Sequence, residues 1–281
     1  MNCLAPKSVE LRLLSQVEDR MLSLLPNVPS TVRDAGRYHL MAGGSRVRAR
    51  LALQAAEALE LDDNTSVSIS SAVEILHNAS LLHDDLQDVD ITRRGQDAVW
   101  KKFGKNAAIC TGDLLISAAY AALVGCNEDT LHSLITHMHQ NTENVILGQQ
   151  ADLEAEHLTQ DKYIAIAKMK SGPLLGLPVE LCLIAAGQME AVKNARQASY
   201  EIAVAYQVSD DIQDMDRDKK KGAMNFTSLS KGPRADLIEK AKLFASERAL
   251  EAQRLAGLLP CGSGRGLILL AEHFINTKRI I

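Results

Sequence analysis

Two segments far apart in the chain read alike: His83-Asp84-Asp85-Leu86-Gln87-Asp88 and Ser209-Asp210-Asp211-Ile212-Gln213-Asp214. Each is Asp-Asp-x-x-Asp, and each lies towards the end of an apolar run with helical spacing. On a helix, residues four apart share a face while the next is turned by about 100°. Asp84 and Asp88 therefore point one way, as do Asp210 and Asp214. Carboxylates grouped like this repel one another, and burying them unpaired is costly. A single copy reads as a solvated acidic helix end. Two copies, each behind an apolar run, call for a cation. Mg²⁺ suits such a site, because it takes oxygen ligands, keeps several waters and is usually held by one or two carboxylates plus substrate phosphates. Two facing pairs would form a mouth that holds a diphosphate through bridging metals. A calcium loop is the competing reading, since Asp214, Asp216 and Asp218 alternate suitably. It fails where glycine is required and Lys219 stands, and where glutamate is required and Asn225 stands.

The remaining pattern is helical. Aromatics make up 4% of the chain, and Ala, Leu, Glu, Gln and Lys, all good helix formers, dominate. Alternation of apolar and polar residues is scarce, so no run of half-buried strands is expected. Val9, Leu13, Val17, Met21 and Leu24 form one stripe, and Leu51, Ala55, Ala58 and Leu59 a second. Further helices are expected at 67–90, 106–124, 129–156, 160–170, 173–187, 190–217, 234–257 and 264–276. Breaks fall at Gly95, Gly125, Gly187, 219–222 and 259–264. With no linker and no repeat, the expectation is one all-α domain over 1–281, a bundle of roughly ten or more helices.

Composition narrows the function. Lys and Arg number 31 against 35 Asp and Glu, a net charge of −4, which argues against a general nucleic-acid binder. The five cysteines are scattered without a Cys-x-x-Cys, so reduced thiols in a cytoplasmic protein are expected. The start of the chain lacks a secretory pattern, its end lacks a lipidation box, and the greasiest stretch, 174–187, is too short and polar to span a bilayer.

Basic residues accompany the acidic pairs. Arg93-Arg94-Gly95 follows Asp88, Gly43-Gly44-Ser45-Arg46-Val47-Arg48 lies upstream, and Lys170-Ser171-Gly172 stands before an expected break. Arginine grips phosphate oxygens with a planar fork. Each basic group alone reads as solvated decoration; beside two metal-binding pairs they suggest a site for two diphosphates.

In this order the motifs resemble the trans-prenyl diphosphate synthases of the polyprenyl synthetase family. The matching elements are Gly-Gly-x-Arg-x-Arg from Gly43, His77 and His83 leading into the first acidic motif, and Arg93-Arg94-Gly95. Gly112-Asp113, Gly148-Gln149-x-x-Asp152, Lys170-Ser171-Gly172 and Tyr206-Gln207 before the second acidic motif complete them. The resemblance implies an isoprenoid-synthase-type α bundle around a deep apolar cavity, working as a homodimer. It implies three Mg²⁺ per site, held by Asp84, Asp88 and Asp210 with Asp214 helping through water, and supporting roles for Asp85 and Asp211. Arg93 and Lys170 would bind the allylic diphosphate and promote its ionisation. Arg48, Arg94 and His77 would grip isopentenyl diphosphate, whose double bond attacks the cation. Ser171, Gln207 and Gln149 match polar positions near the substrates and metals. His83 is expected to be structural, and His132, His137 and His139 to lie on helix surfaces.

Two positions depart from the family pattern. Ser45 stands where a lysine is usual, and Ala223 where a second lysine is expected; Lys219, Lys220 or Lys221 could replace the latter. Chain elongation is the leading expectation. A terpene cyclase or atypical coupling enzyme that ionises without isopentenyl diphosphate remains an alternative, as does a partner subunit of a heteromeric synthase. Product length follows from geometry: the growing chain runs down the helix below Asp84, past Ser80 and Ala79. Both are small, and Leu76 is the next candidate floor. A product of about C20 or longer is expected, one turn of helix being roughly 5.4 Å.

Overall fold

Helix starts are set by local chemistry. Ser30 accepts the Arg33 N–H at 3.2 Å. Asp62 accepts the Thr65 N–H at 2.9 Å and the Thr65 hydroxyl at 2.7 Å, bonds that hold its carboxyl below the usual range. The computed structural model describes residues 5–155, 159–221 and 225–275. Among them are eleven α-helices: α1 (Ala5–Ser23), α2 (Thr31–Met41), α3 (Val47–Ala58), α4 (Asp63–Gln87), α5 (Val99–Phe103), α6 (Lys105–Ala122), α7 (Glu128–Leu153), α8 (Gln160–Ala185), α9 (Val192–Lys221), α10 (Arg234–Ala256) and α11 (Arg265–Ile275). An antiparallel hairpin, β1 (Thr92–Arg93) with β2 (Gln96–Asp97), follows the first acidic motif.

Contacts gather into two compact units: the described part of 1–136 with 184–186, and of 137–183 with 187–281. In the first, α4 packs against α1, α3 and α6, burying Ile69, Val73, Ile75, Leu76 and Leu82. In the second, α10 presents Ala241, Ala245, Ala249, Ala252 and Ala256 as a buried stripe and packs against α9 and α11. Alanine at these positions lets helix axes approach closely without loss of helix propensity.

The long helices fall where the apolar spacing places them, and four features differ. First, α2 is not among the expected helices. In the fold Gly36 lies where Leu25 presses on the helix, 3.0 Å from where a Cβ would be. Second, 160–185 is one helix, although a break is expected at 171–172. Pro173 and Pro178 lie inside it. A Cβ at Gly172 would meet the Tyr200 ring at 2.4 Å, so close packing against α9 offsets the hydrogen bonds the prolines remove. Third, α9 runs on to Lys221, leaving the second motif inside the helix. Fourth, the helix most apolar by length and composition is Lys105–Gly125, with mean hydropathy 1.7, not 174–187. It is long enough to cross a membrane, but half of that window is buried against its neighbours.

Candidate active site

The first acidic motif closes α4. Asp88 is the C-cap, and its N–H donates to Asp84 O at 2.8 Å. Asp84 is half-buried and Asp88 exposed, while Asp85 points inward. Asp85 accepts from Arg93 Nε at 2.7 Å, and Arg93 Nη2 donates to the same oxygen. Burial raises the Asp85 carboxyl above the usual range against this arginine, with Asp90 and Asp88 adding to the rise. Carboxylates here also face the partial negative charge of the helix C-terminus, a second reason for a cation at this end.

Arg93 and Arg94 sit on the hairpin. Arg94 and Gly95 both have positive φ, +52° and +77°, as a two-residue type I′ connection requires. The turn carries Arg94 to Asn78 Oδ1, 3.2 Å away. Around it gather Arg46, Arg48, His39 and His77. Burial, then Arg48, Arg94 and His39, hold the His77 imidazole well below its ordinary value. Burial, then Arg94 and Arg93, lower His39 to about 3. Both imidazoles are thus neutral at physiological pH, held so by burial and by the guanidinium groups around them. The expected diphosphate-gripping residues Arg48, Arg94 and His77 therefore share one electrostatic neighbourhood.

The second motif lies inside α9. Asp210 is half-buried, and burial raises its carboxyl; a bond from Tyr206 opposes the rise and Asp214 adds to it. Asp214 pairs with Arg217 at 2.5 Å. Asp211 is buried and accepts from Tyr163 Oη at 2.8 Å, Gln207 Nε2 at 3.0 Å and the Phe226 N–H at 2.6 Å. Burial nevertheless pushes it up to about 6. A cavity of about 260 Å³ adjoins Asp210, lined in part by Tyr206, Ile212, Lys242, His273 and Phe274. Among the described residues no three His, Cys, Asp or Glu side chains converge to hold an ion alone. Two outward carboxylates per motif are a donor set that fits Mg²⁺ with waters and phosphate completing its shell.

A family model described as Polyprenyl synthetase matches residues 29–237. The chain belongs to the polyprenyl synthetase family. It is accordingly a prenyltransferase. A short chain isoprenyl diphosphate synthase of Methanothermobacter thermautotrophicus is 27% identical over 270 residues, covering 93% of this chain and 82% of that one. A farnesyl diphosphate synthase of Bacillus subtilis is 29% identical over 248 residues, covering 82% and 84%. The crystal structure of a decaprenyl diphosphate synthase from Rhodobacter capsulatus superposes with a TM-score of 0.85 at 19% identity, covering 97% of this chain and 98% of that one. At that identity it speaks for the fold, the all-α isoprenoid-synthase bundle.

Other polyprenyl synthetase motifs are placed by close packing. A Cβ at Gly148 would fall 2.4 Å from Lys170 N, so α7 and α8 touch there and Lys170 Nζ reaches Asp152 at 2.5 Å. Ser171 is half-buried beside it and Gln149 is buried on α7. Gln207 is turned to Asp211, as above. A Cβ at Gly112 would meet His83 Nε2 at 2.2 Å, and His83 lies 3.6 Å from Asp113. Ala79 and Leu76 are buried; Ser80 is half-buried, its hydroxyl on the His77 carbonyl at 2.9 Å. Ala223 and the side chains of Lys219, Lys220 and Lys221 lie outside the described residues.

One expectation is corrected. His132 and His139 are exposed, but His137 is buried, its Nε2 2.5 Å from Glu180 Oε2, with Arg196 at 3.4 Å from both. Glu180 is fully buried in an apolar stretch, and that was the available signal: an acid there needs a partner.

Proposed function

We propose that the protein condenses an allylic diphosphate with isopentenyl diphosphate, with Mg²⁺ as cofactor, to give a longer trans-prenyl diphosphate. The observation that carries the reading is the basic cluster of Arg48, Arg94 and His77, joined through Arg93 to the first acidic motif. An enzyme that only ionised an allylic diphosphate would have no use for a second anion site.

Asp84 and Asp88, with Asp210 and Asp214, would hold Mg²⁺, which when bound neutralises charge growing on the leaving diphosphate. Arg93 and Lys170 hold the allylic diphosphate, each oriented by a carboxylate, Asp85 or Asp152. As the carbon–oxygen bond breaks, its electron pair leaves with the diphosphate. Arg48, Arg94 and His77 fix isopentenyl diphosphate so that its double bond forms the new carbon–carbon bond, and the departed diphosphate takes the proton released. Holding both substrates in line supplies much of the rate.

The relatives' names span farnesyl, geranylgeranyl and decaprenyl products, so length rests on α4. Small Ala79 and Ser80 support about C20 or longer, a helix turn below the motif being roughly 5.4 Å deep. Ser80 is the better point for a test, being half-buried where Ala79 is enclosed; Ser80→Phe is expected to shorten the product. We also read the chain as one catalytic domain, since the family match runs through both units. Exposed Ile109 and Val124 at the ends of α6 and its following turn support a homodimer, and the free thiols of Cys110, Cys126 and Cys261 a cytoplasmic setting.

Turnover with and without isopentenyl diphosphate tests the function. Product is expected only with both substrates and Mg²⁺. Consumption of the allylic diphosphate alone would assign a cyclase-type reaction, and activity only in the presence of a second chain a partner subunit.

A further inference from the structure

Arg93 and Arg94 are adjacent, yet their environments differ. Arg93 meets the carboxylate of Asp85. The hydrogen bond of Arg94 goes to a neutral amide, Asn78 Oδ1 at 3.2 Å. Asn78 is fully buried on α4. Its Nδ2 donates to Glu74 O at 2.7 Å and approaches Glu74 Oε1 at 3.4 Å, so the amide can only present its oxygen to Arg94. Glu74 is fixed in turn by the Ala49 N–H at 3.1 Å and by Arg46 at 3.8 Å. From α2, buried His39 faces the same Asn78 amide, whose proximity partly opposes the fall in its basicity, and its Nε2 has no hydrogen-bond partner. The hairpin is tied to α2 as well: Tyr38 Oη donates to Asp97 O at 2.9 Å, and Gln96 Nε2 to Tyr38 O at 3.4 Å.

Room and strain agree with this arrangement. A Cβ on Gly44 would lie 3.0 Å from Arg94 Cζ, and Gly44 has φ +123°. Arg94 itself holds a left-handed φ that glycine or asparagine would adopt more readily. Such conformations persist where the surroundings over-determine them. A neutral acceptor fixes where a guanidinium points without cancelling its charge. A carboxylate would do both.

We propose that Asn78 and His39 are positioning residues that aim the Arg94 guanidinium, which no carboxylate grips, at the diphosphate of isopentenyl diphosphate. The inference rests on the function proposed above and adds two residues, one on a helix absent from the sequence motifs.

The test is a double-mutant cycle, which isolates action of one residue through another. Asn78→Leu, close in shape but without the acceptor, is expected to raise the KM for isopentenyl diphosphate about tenfold. The KM for the allylic substrate should stay within about twofold. In an Arg94→Ala background the same change should have no further effect. Effects that multiply across the cycle, or that fall equally on both substrates, overturn the proposal. If Asn78→Leu does not fold, as judged by circular dichroism, His39→Gln takes its place in the cycle with the same pattern expected. Calorimetric titration of isopentenyl diphosphate into the wild type separates the two levels. Absence of binding overturns the functional reading and this inference with it; binding together with an additive cycle overturns this inference alone.

Discussion

Asp85 and Asp211 occupy the same place in two matching motifs, and the fold holds them by different means. Asp85 is met by a charge, the Arg93 guanidinium carried back on the hairpin. Asp211 is met by neutral donors alone among its hydrogen bonds: a phenol, an amide and a backbone N–H. The backbone differs too. Motif one ends its helix, with Val89 in the left-handed region at φ +59° and the Asp90 N–H folded back to Asp85 O at 2.9 Å. Motif two sits within α9, which continues to Lys221. Matching sequences thus give one motif whose anchor is a partly exposed guanidinium, and one whose anchor is built into the core.

The outward carboxylates should respond alike. Asp84→Ala and Asp210→Ala are each expected to lower kcat by about two to three orders of magnitude or more, since stabilising the leaving group is the main catalytic contribution. Melting temperatures should not fall, because each change relieves repulsion. Full activity of either variant, or of the wild type in excess chelator, would break the shared-metal reading.

The inward carboxylates should respond unequally. Arg93→Met leaves Asp85 buried and unpaired, with an expected loss of about 2–3 kcal/mol, Arg93 being partly exposed. Tyr163→Phe removes one of three donors to Asp211 and should cost about 1 kcal/mol. Urea denaturation of metal-free protein measures both, and the reverse order would show that the two anchors are equivalent.

Acid should separate the regions further. His39 has a folded value of about 3 against 6.5 unfolded, so its contribution is present above pH 6.5 and is lost as pH falls towards 3. Asp211 is raised to about 6 from 3.8. Its contribution is present below pH 3.8 and lost as pH rises through 6. Between those limits the slopes oppose, each about 1.4 kcal/mol per pH unit at most. In metal-free protein, His39→Gln is expected to make the acid loss of stability shallower and Asp211→Asn to make it steeper. Equal pH profiles for the two variants would contradict these assignments.

What the sequence made legible follows from range. The acidic pairs, the basic motifs and the long helices depend on spacing within one element, so periodicity and motif order expose them. The neutral anchors of Asp211, the pairing of His137 with Glu180, and the contact of α2 with Asn78 join distant segments. Nothing local marks Tyr163 or His39 as partners of a motif. Gly172 misled for the same reason: propensity counts it as a break, whereas close approach of Tyr200 makes it part of a helix.

The smallest effect compares how the motifs end. Val89, exposed and β-branched, occupies the left-handed position after the α4 C-cap, where glycine or asparagine is usual. A left-handed residue with a Cβ costs roughly 1–2 kcal/mol, and asparagine tolerates the conformation by bonding locally. Val89→Asn should therefore stabilise by up to about 1 kcal/mol, raising the melting temperature by about 2–4 °C. The corresponding residue after motif two, Met215, is helical. There asparagine gains nothing and loses helix propensity, so Met215→Asn should destabilise by about 0.5 kcal/mol. Opposite signs from one substitution type at matched positions would place the difference in the backbone. If both variants lose stability, Val89 is not strained, and the contrast between the motifs lies in their anchors alone.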